Sequence, residues 1–243
     1  MNCSSRFGRT SRHRRRSVTH PNGRPTGWRH TLAPMSSRES WAARLHDVLD
    51  ARLHELDYAT LQGLVARGVR EATDLDFKRE VYGGNEKGKR SFAADVAAMA
   101  NERGGLISIG VVDADGAASD LNPIELSEAE ELRMKSIAAD LISPHVSFEI
   151  QRIPLADNDS NGFYAIIIPP SPDRPHAVSF GVDLRYPRRD GARTRYMRQP
   201  EVAAEYASRE QRGEAQVARL GNVLDEGHAR PRSSAMARVS DSS

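Results

Sequence analysis

Cysteine is all but missing from this 243-residue chain. Cys3 stands alone, which excludes an internal disulfide framework and any cysteine-rich zinc site. Long apolar runs are missing as well. None approaches the roughly 20 residues that a helix needs to cross a bilayer. No apolar stretch follows the arginine-rich start, so a secretory signal is not read either. The expected location is the cytoplasm, with no membrane partner. The eight histidines are scattered, none at ligand spacing with another on a helix and none near a plausible nucleophile. Any metal would therefore be held chiefly by oxygen.

Acids are absent from residues 1–34, which carry eight arginines. With those set aside, 27 basic residues face 33 acids, so the rest of the chain has a net charge of −6. An arm such as "SRHRRRS" has the composition to neutralise phosphates. The simpler reading is a disordered basic extension over residues 1–35, or a misassigned start at Met1. Met35 is followed by Ser36 and Glu39 at capping-box spacing, just ahead of an amphipathic segment.

Periodicity then gives the order of elements. Trp41, Leu45, Val48, Leu49 and Leu53 recur at helical spacing and predict one surface helix over 38–55. "ATLQGLVARG" predicts a short second helix stopped by Gly68. "DLDFKREVY" alternates as a half-buried strand, with Leu75 and Phe77 on one face and Asp74, Asp76 and Lys78 on the other. A loop, "GGNEKGKR", is expected before a helix over 91–101 and the strand "LISIGVV". Asp115-Gly116 marks a turn, and Ser127 with Glu130 opens a helix that ends near Pro144. Strand character returns in "VSFEIQRI", "GFYAIIIPP", "HAVSF" and "DLRYPRR". A charged, helix-compatible segment at 200–226 precedes a tail that reads as disordered. The expected fold class is α+β, a mixed β-sheet with packed helices.

Three constellations carry chemistry. The acids Glu71, Asp74, Asp76, Asp113 and Asp115 are of the type that holds magnesium beside a phosphodiester, with Lys78 placed to offset charge on the phosphate. Convergence of Glu71, Asp76 and Asp113 requires a bend near 72–74 and a strand end at 113. The competing reading is that Asp113 and Asp115 shape a turn and that Asp76 sits on a solvated face. Second, Gly83, Gly88 and Lys89 match P-loop spacing, but Arg90 stands at the Ser/Thr position, which favours a loop that touches nucleic acid over nucleotide hydrolysis. Third, "RYPRRDGARTRYMR" combines arginines with Tyr186 and Tyr196, a composition suited to phosphates and unstacked bases, or to a hairpin with a charged outer face.

Taken together, Glu71 through "LDFK", then "AAMANERGGLISIGVVDADG", then "YPRRDGARTRYM" resemble the Schlafen-type AlbA-like domain of bacterial transcriptional regulators and animal Schlafen proteins. The resemblance covers about 60–200. It identifies the α+β unit read over 57–205 as an AlbA-like domain, with the N-terminal helix at 36–56 before it and the charged helix and disordered tail at 206–243 after it. It also implies a three-acid, metal-dependent nuclease site at Glu71, Asp76 and Asp113, using Mg2+ or Mn2+; Lys78, on the same strand face as Asp76, is read beside them as a fourth catalytic residue. Many relatives are described only as DNA-binding, and some as ATP-binding. The leading expectation is a nucleic-acid-binding protein, for DNA or RNA, that contacts phosphate through Lys87, Lys89, Arg90, Arg188, Arg189, Arg193 and Arg195. A homodimer is compatible with this reading. The alternatives are a nucleotide-binding regulator and a non-catalytic protein-interaction module.

Overall fold

The computed structural model describes residues 40–228, with side chains through residue 219. The basic extension, the Ser36/Glu39 cap and the terminal tail lie outside the described residues. The architecture is α+β around a mixed five-stranded sheet.

The sheet is built from β1 (Leu75–Lys78), β2 (Gly105–Ile109), β5 (Ile124–Glu125), β7 (Glu149–Leu155) and β8 (Asn158–Ile168). β1 runs parallel to β2, and the other pairings are antiparallel. Parallel neighbours need a crossover. Here it is α3 (Glu86–Ala100).

Alternation along the central strands divides the core into two layers. Ile107, Ile109, Tyr164, Ile166 and Ile168 face α3 and α4 (Glu128–Leu141). Leu75, Phe77, Leu106, Phe163, Ala165 and Ile167 face the other way, onto α1 (Ala43–Leu49) and α2 (Tyr58–Ala66). Burial on both faces explains why "LISI" and "YAIII" read as continuous apolar runs.

The remaining strands form small sheets beside this core. β3 (Val111–Ala114) and β4 (Ala117–Leu121) make a hairpin. Asp115 and Gly116 both have positive φ, 53° and 73°, the conformation a two-residue Asp-Gly turn demands. β9 (Ala177–Phe180) pairs with β6 (Ile142–Ser143) and β10 (Asp183–Arg185). β11 (Pro187–Asp190) and β12 (Arg193–Tyr196) form a second hairpin. The chain then enters α5 (Gln199–His228).

Two expectations are corrected. The single helix over 38–55 is instead a 3-10 turn at Ser40–Ala42, then α1, then another 3-10 turn at Leu53–Glu55. Asp50 adopts a left-handed conformation that ends α1, and Arg67 Nη2 donates to the Val48 carbonyl left open there (2.7 Å). The break lets Leu53 and Leu56 join Leu45 and Leu49 in the same core layer. The other correction concerns "GGNEKGKR": α3 begins inside it, at Glu86, because Asn85 caps the helix by accepting from Gly88 N (2.8 Å).

The Gly104-Gly105 pair has a steric cause at each position. Gly104 has φ +78°, and a Cβ there would lie 2.5 Å from the Ile168 carbonyl. A Cβ at Gly105 would meet Met99 Sδ at 2.6 Å and the Asp74 carbonyl at 2.9 Å. Both are needed for β2 to enter the sheet directly after α3.

Candidate functional site

The acids come first. A tight turn, with Ala72 and Leu75 exchanging backbone bonds, supplies the bend the sequence required, and it returns Glu71 to the side of β1. Glu71 Oε1 accepts from Phe77 N (2.8 Å). Burial pushes the Glu71 carboxyl above its ordinary range, and the neighbouring charges of Asp76 and Asp113 push it the same way. The strand end is present too. β2 stops at Ile109, and a bulge between Val112 and Asp113 changes the facing of β3. Asp113 is exposed, and its Oδ2 accepts from Gly116 N (3.3 Å) across the hairpin turn.

Asp76 has a different fate. It is buried beneath β11, where its Oδ1 accepts from Arg189 Nη1 (3.1 Å) and its Oδ2 lies against the Lys78 ammonium. Arg189 is equally buried, and its Nη2 donates to the Ala72 carbonyl (3.0 Å). Lys78 Nζ also lies 3.6 Å from Asp95 Oδ2 of α3, and Asp95 accepts from Tyr82 Oη (2.9 Å) and Thr194 Oγ1 (3.2 Å). Two acids and two bases therefore balance inside the fold and clamp the β11–β12 hairpin to β1 and α3. Burial raises the Asp95 carboxyl, while the adjacent Lys78 opposes that shift. The Lys78 amine is held above its ordinary value by Asp95 and Asp76 against the cost of burial.

Glu71 thus sits within electrostatic reach of both other acids, yet the three do not share a cavity. Among the described residues no three His, Cys, Asp or Glu side chains are positioned to hold one metal ion. Both Asp76 oxygens face Arg189 or Lys78, and Glu71 and Asp113 each give one oxygen to a backbone N–H. As arranged, this donor set does not fit magnesium or manganese.

The basic residues divide likewise. Arg189 is withdrawn from phosphate contact, since its guanidinium is committed to Asp76 and Ala72 inside the core. Arg188 donates to Glu102 (2.5 Å) and Glu205 (3.5 Å), and Arg195 donates to Glu201 through both terminal nitrogens (2.9 and 2.6 Å). Lys89 pairs with Glu86 at 3.1 Å, and Arg90 approaches the same carboxylate at 3.7 Å. Lys87, Arg185, Arg193 and Arg198 are exposed and make no side-chain ion pair among the described residues.

Of these cations Lys87 lines a cleft of about 590 Å³ between the first half of α3 and the β9–β12 strands, and Arg185 lies over two of its rings. Lys87, Arg90, Asp95, Phe180, Thr194 and Tyr196 line it. Phe180 and Tyr196 meet edge to face, with centroids 6.0 Å apart. The Arg185 guanidinium lies 4.8 Å from the Phe180 centroid and 5.6 Å from that of Tyr196, while Arg90 covers Phe180 at 5.7 Å. Phe180, Asp95 and Thr194 escaped the sequence reading of this site. Asp95, a lone acid inside an alanine-rich helix, was a usable signal; Phe180, at a strand end, gave none.

The P-loop spacing resolves as packing. A Cβ at Gly88 would lie 2.1 Å from the Gly83 carbonyl, so the two glycines close on each other. Asn101, from the "AAMANERGG" block, is buried and joins the residue ahead of β9 and the start of β11 to the end of α3. Its Nδ2 donates to the carbonyls of His176 (2.9 Å) and Pro187 (2.8 Å), and its Oδ1 accepts from His176 N (2.7 Å).

No curated protein matches the chain. Among solved structures it is similar to the DIP2311 protein from Corynebacterium diphtheriae, at 18% identity and a TM-score of 0.38, over 59% of this chain and 26% of that one. The chain thus spans about a quarter of that protein's length. A family model described as Schlafen, AlbA_2 matches residues 71–199, from the first of the three acids to the start of α5. Since that segment holds the acids, the glycine pair and both hairpins of the cleft and takes in more than half of the chain, the protein belongs to the Schlafen AlbA_2 family.

Proposed function

We propose that the protein binds nucleic acid through the side of the domain formed by the first half of α3 and strands β9–β12. The observation that carries this reading is the contrast in commitment among the cations. Lys87, Arg185, Arg193 and Arg198 are exposed and make no side-chain ion pair among the described residues, and Arg185 lies over the rings of Phe180 and Tyr196, an arrangement that favours a polyanion bearing aromatic groups. Family membership points the same way. The body of the chain is acidic overall, so such a surface attracts phosphate locally rather than through net charge.

Binding to labelled oligonucleotides, followed by fluorescence anisotropy over a range of salt concentrations, tests the reading. Each phosphate neutralised contributes a slope of about −0.9 in log K against log salt for a duplex and about −0.7 for a single strand. Lys87→Ala and Arg193→Ala should each weaken binding and flatten the slope by about one contact. Salt-independent binding, or full affinity in the double variant, would remove the surface from consideration.

A nucleotide-binding regulator is the less favoured reading. Lys89, the residue such a site would aim at phosphate, pairs with Glu86, and Gly83 and Gly88 are used in mutual packing.

A further inference from the structure

We infer that the cleft seats one unpaired nucleotide of a single strand, with its base on Tyr196 and Arg185 and a phosphate against Lys87 and Arg90. This rests on the nucleic-acid reading above and names the class of nucleic acid that the same surface takes.

Shape is the first argument. A recess of about 590 Å³ has the size of a small-molecule site rather than of a duplex-binding face. In a duplex the base faces are stacked away, so a concave site reaches them only in a strand that is unpaired or has a nucleotide turned out.

The second argument is the chemistry of the walls. Tyr196 keeps 40% of its surface exposed although it borders the core, and its ring is held edge-on to Phe180. The Arg185 guanidinium, placed over both rings, offers a second planar seat. Aromatic and guanidinium planes are the surfaces on which unstacked bases settle. Lys87 and Arg90 rise from the opposite wall on α3, within the same cleft.

Continuity distinguishes a strand from a free nucleotide carrying the same base and phosphate. A second depression, lined by Arg195, Tyr196, Arg198, Pro200 and Glu201, meets the cleft at Tyr196. The two form a track with a ring at the junction and a basic residue on each side. A strand crossing Tyr196 places successive phosphates near Arg90 and Arg198. A mononucleotide reaches only one of them.

The test uses the full chain and three fluorescein-labelled probes: a mixed-sequence 12-nucleotide DNA strand, the RNA strand of the same sequence, and the blunt DNA duplex. Either single strand should bind at least about tenfold more tightly than the duplex. Tyr196→Ala should weaken the strand by about tenfold and leave the duplex unchanged, whereas Tyr196→Phe should retain affinity. Unchanged melting temperatures confirm that the variants fold. Duplex binding as tight as the strand, or a Tyr196→Ala effect that is nil or equal on all probes, would overturn the single-strand assignment while leaving the nucleic-acid reading intact. Displacement of the strand by micromolar ATP would overturn it in favour of a free nucleotide. Failure of all three probes to bind would remove the nucleic-acid reading itself.

Discussion

Two charged regions adjoin the β11–β12 hairpin, and they treat charge in opposite ways. Inward, Asp76, Arg189, Lys78 and Asp95 are matched one for one and largely hidden from water. Toward the cleft, Lys87, Arg185 and Arg193 make no ion pair among the described residues, and Tyr196 keeps 40% of its surface exposed. A buried charge must be compensated inside the fold, because desolvation is otherwise prohibitive. An exposed one need not be, and costs little while it waits for a ligand. Of the three acids that by sequence resemble a catalytic site, Asp76 therefore acts in this structure, with Asp95, as part of the clamp that holds the β11–β12 hairpin in place.

The clamp is the place to break the comparison with the largest effect. Arg189→Ala leaves Asp76 buried without one of its two cationic partners and should cost about 3–5 kcal/mol, a large part of a typical domain's total. Asp76→Ala should cost a similar amount by stranding Arg189. The double replacement Asp76→Leu with Arg189→Met should be milder than either, since no charge is left unpaired. Urea melts of the three proteins decide it. Additive losses would mean that the two residues do not form a pair.

Asn101 comes next. Asn101→Ala frees two carbonyls and one N–H where water does not reach, and a loss of about 2–3 kcal/mol is expected. Both small sheets next to the cleft are anchored through those bonds, so nucleic-acid affinity should fall along with stability. Stability lost with affinity intact would separate the anchor from the surface.

A pH dependence sharpens the same boundary. Burial pushes the His176 imidazole below its ordinary value, while Nδ1 stays within 2.8 Å of the Pro144 carbonyl. The unfolded chain therefore takes up this proton first. His176's contribution is present above about pH 6.5 and is lost as pH falls toward the depressed folded value. Thermal melts between pH 5 and 7 should show stability rising with pH, by up to one proton's slope. His176→Gln should lose most of that slope.

Local signals carried much of the fold. Asp115-Gly116 specified its turn, and Ser127 its cap, with Oγ accepting from Glu130 N at 3.2 Å. Glu130 does not complete the box, because its carboxylate turns to Arg133 while Tyr164 Oη accepts from Ser127 N. What escaped the sequence was long-range. Arg189 is 113 residues from Asp76, and nothing local says that an arginine in a basic, tyrosine-rich stretch will turn inward. Phe180 and Tyr196 come from different hairpins and acquire meaning only once Arg185 bridges them. The start of α3 was hidden for a local reason: its cap, Asn85, sits among glycines and lysines that read as loop.

The smallest expected effect has an informative sign. Glu71 is held above its ordinary value by burial and by the charges of Asp76 and Asp113, so the folded state binds its proton more tightly than the unfolded chain does. Whatever stability the group lends is therefore complete only below the usual glutamate range and is lost as pH rises through the folded value. At neutral pH the ionised carboxylate is a liability. Glu71→Gln keeps an oxygen to accept from Phe77 N and removes the repulsion, so at pH 7 the melting temperature should stay level or rise by a few degrees. The advantage should vanish near pH 4. Millimolar Mg2+ or Mn2+ should move neither protein, because only a ligand that prefers the native state raises its melting point. If instead manganese stabilised the parent chain and Glu71→Gln cancelled the gain, the inner region would bind an ion that its present pairing does not favour. Both regions would then be ligand sites, and the division between a spent and an unspent set of charges would fall.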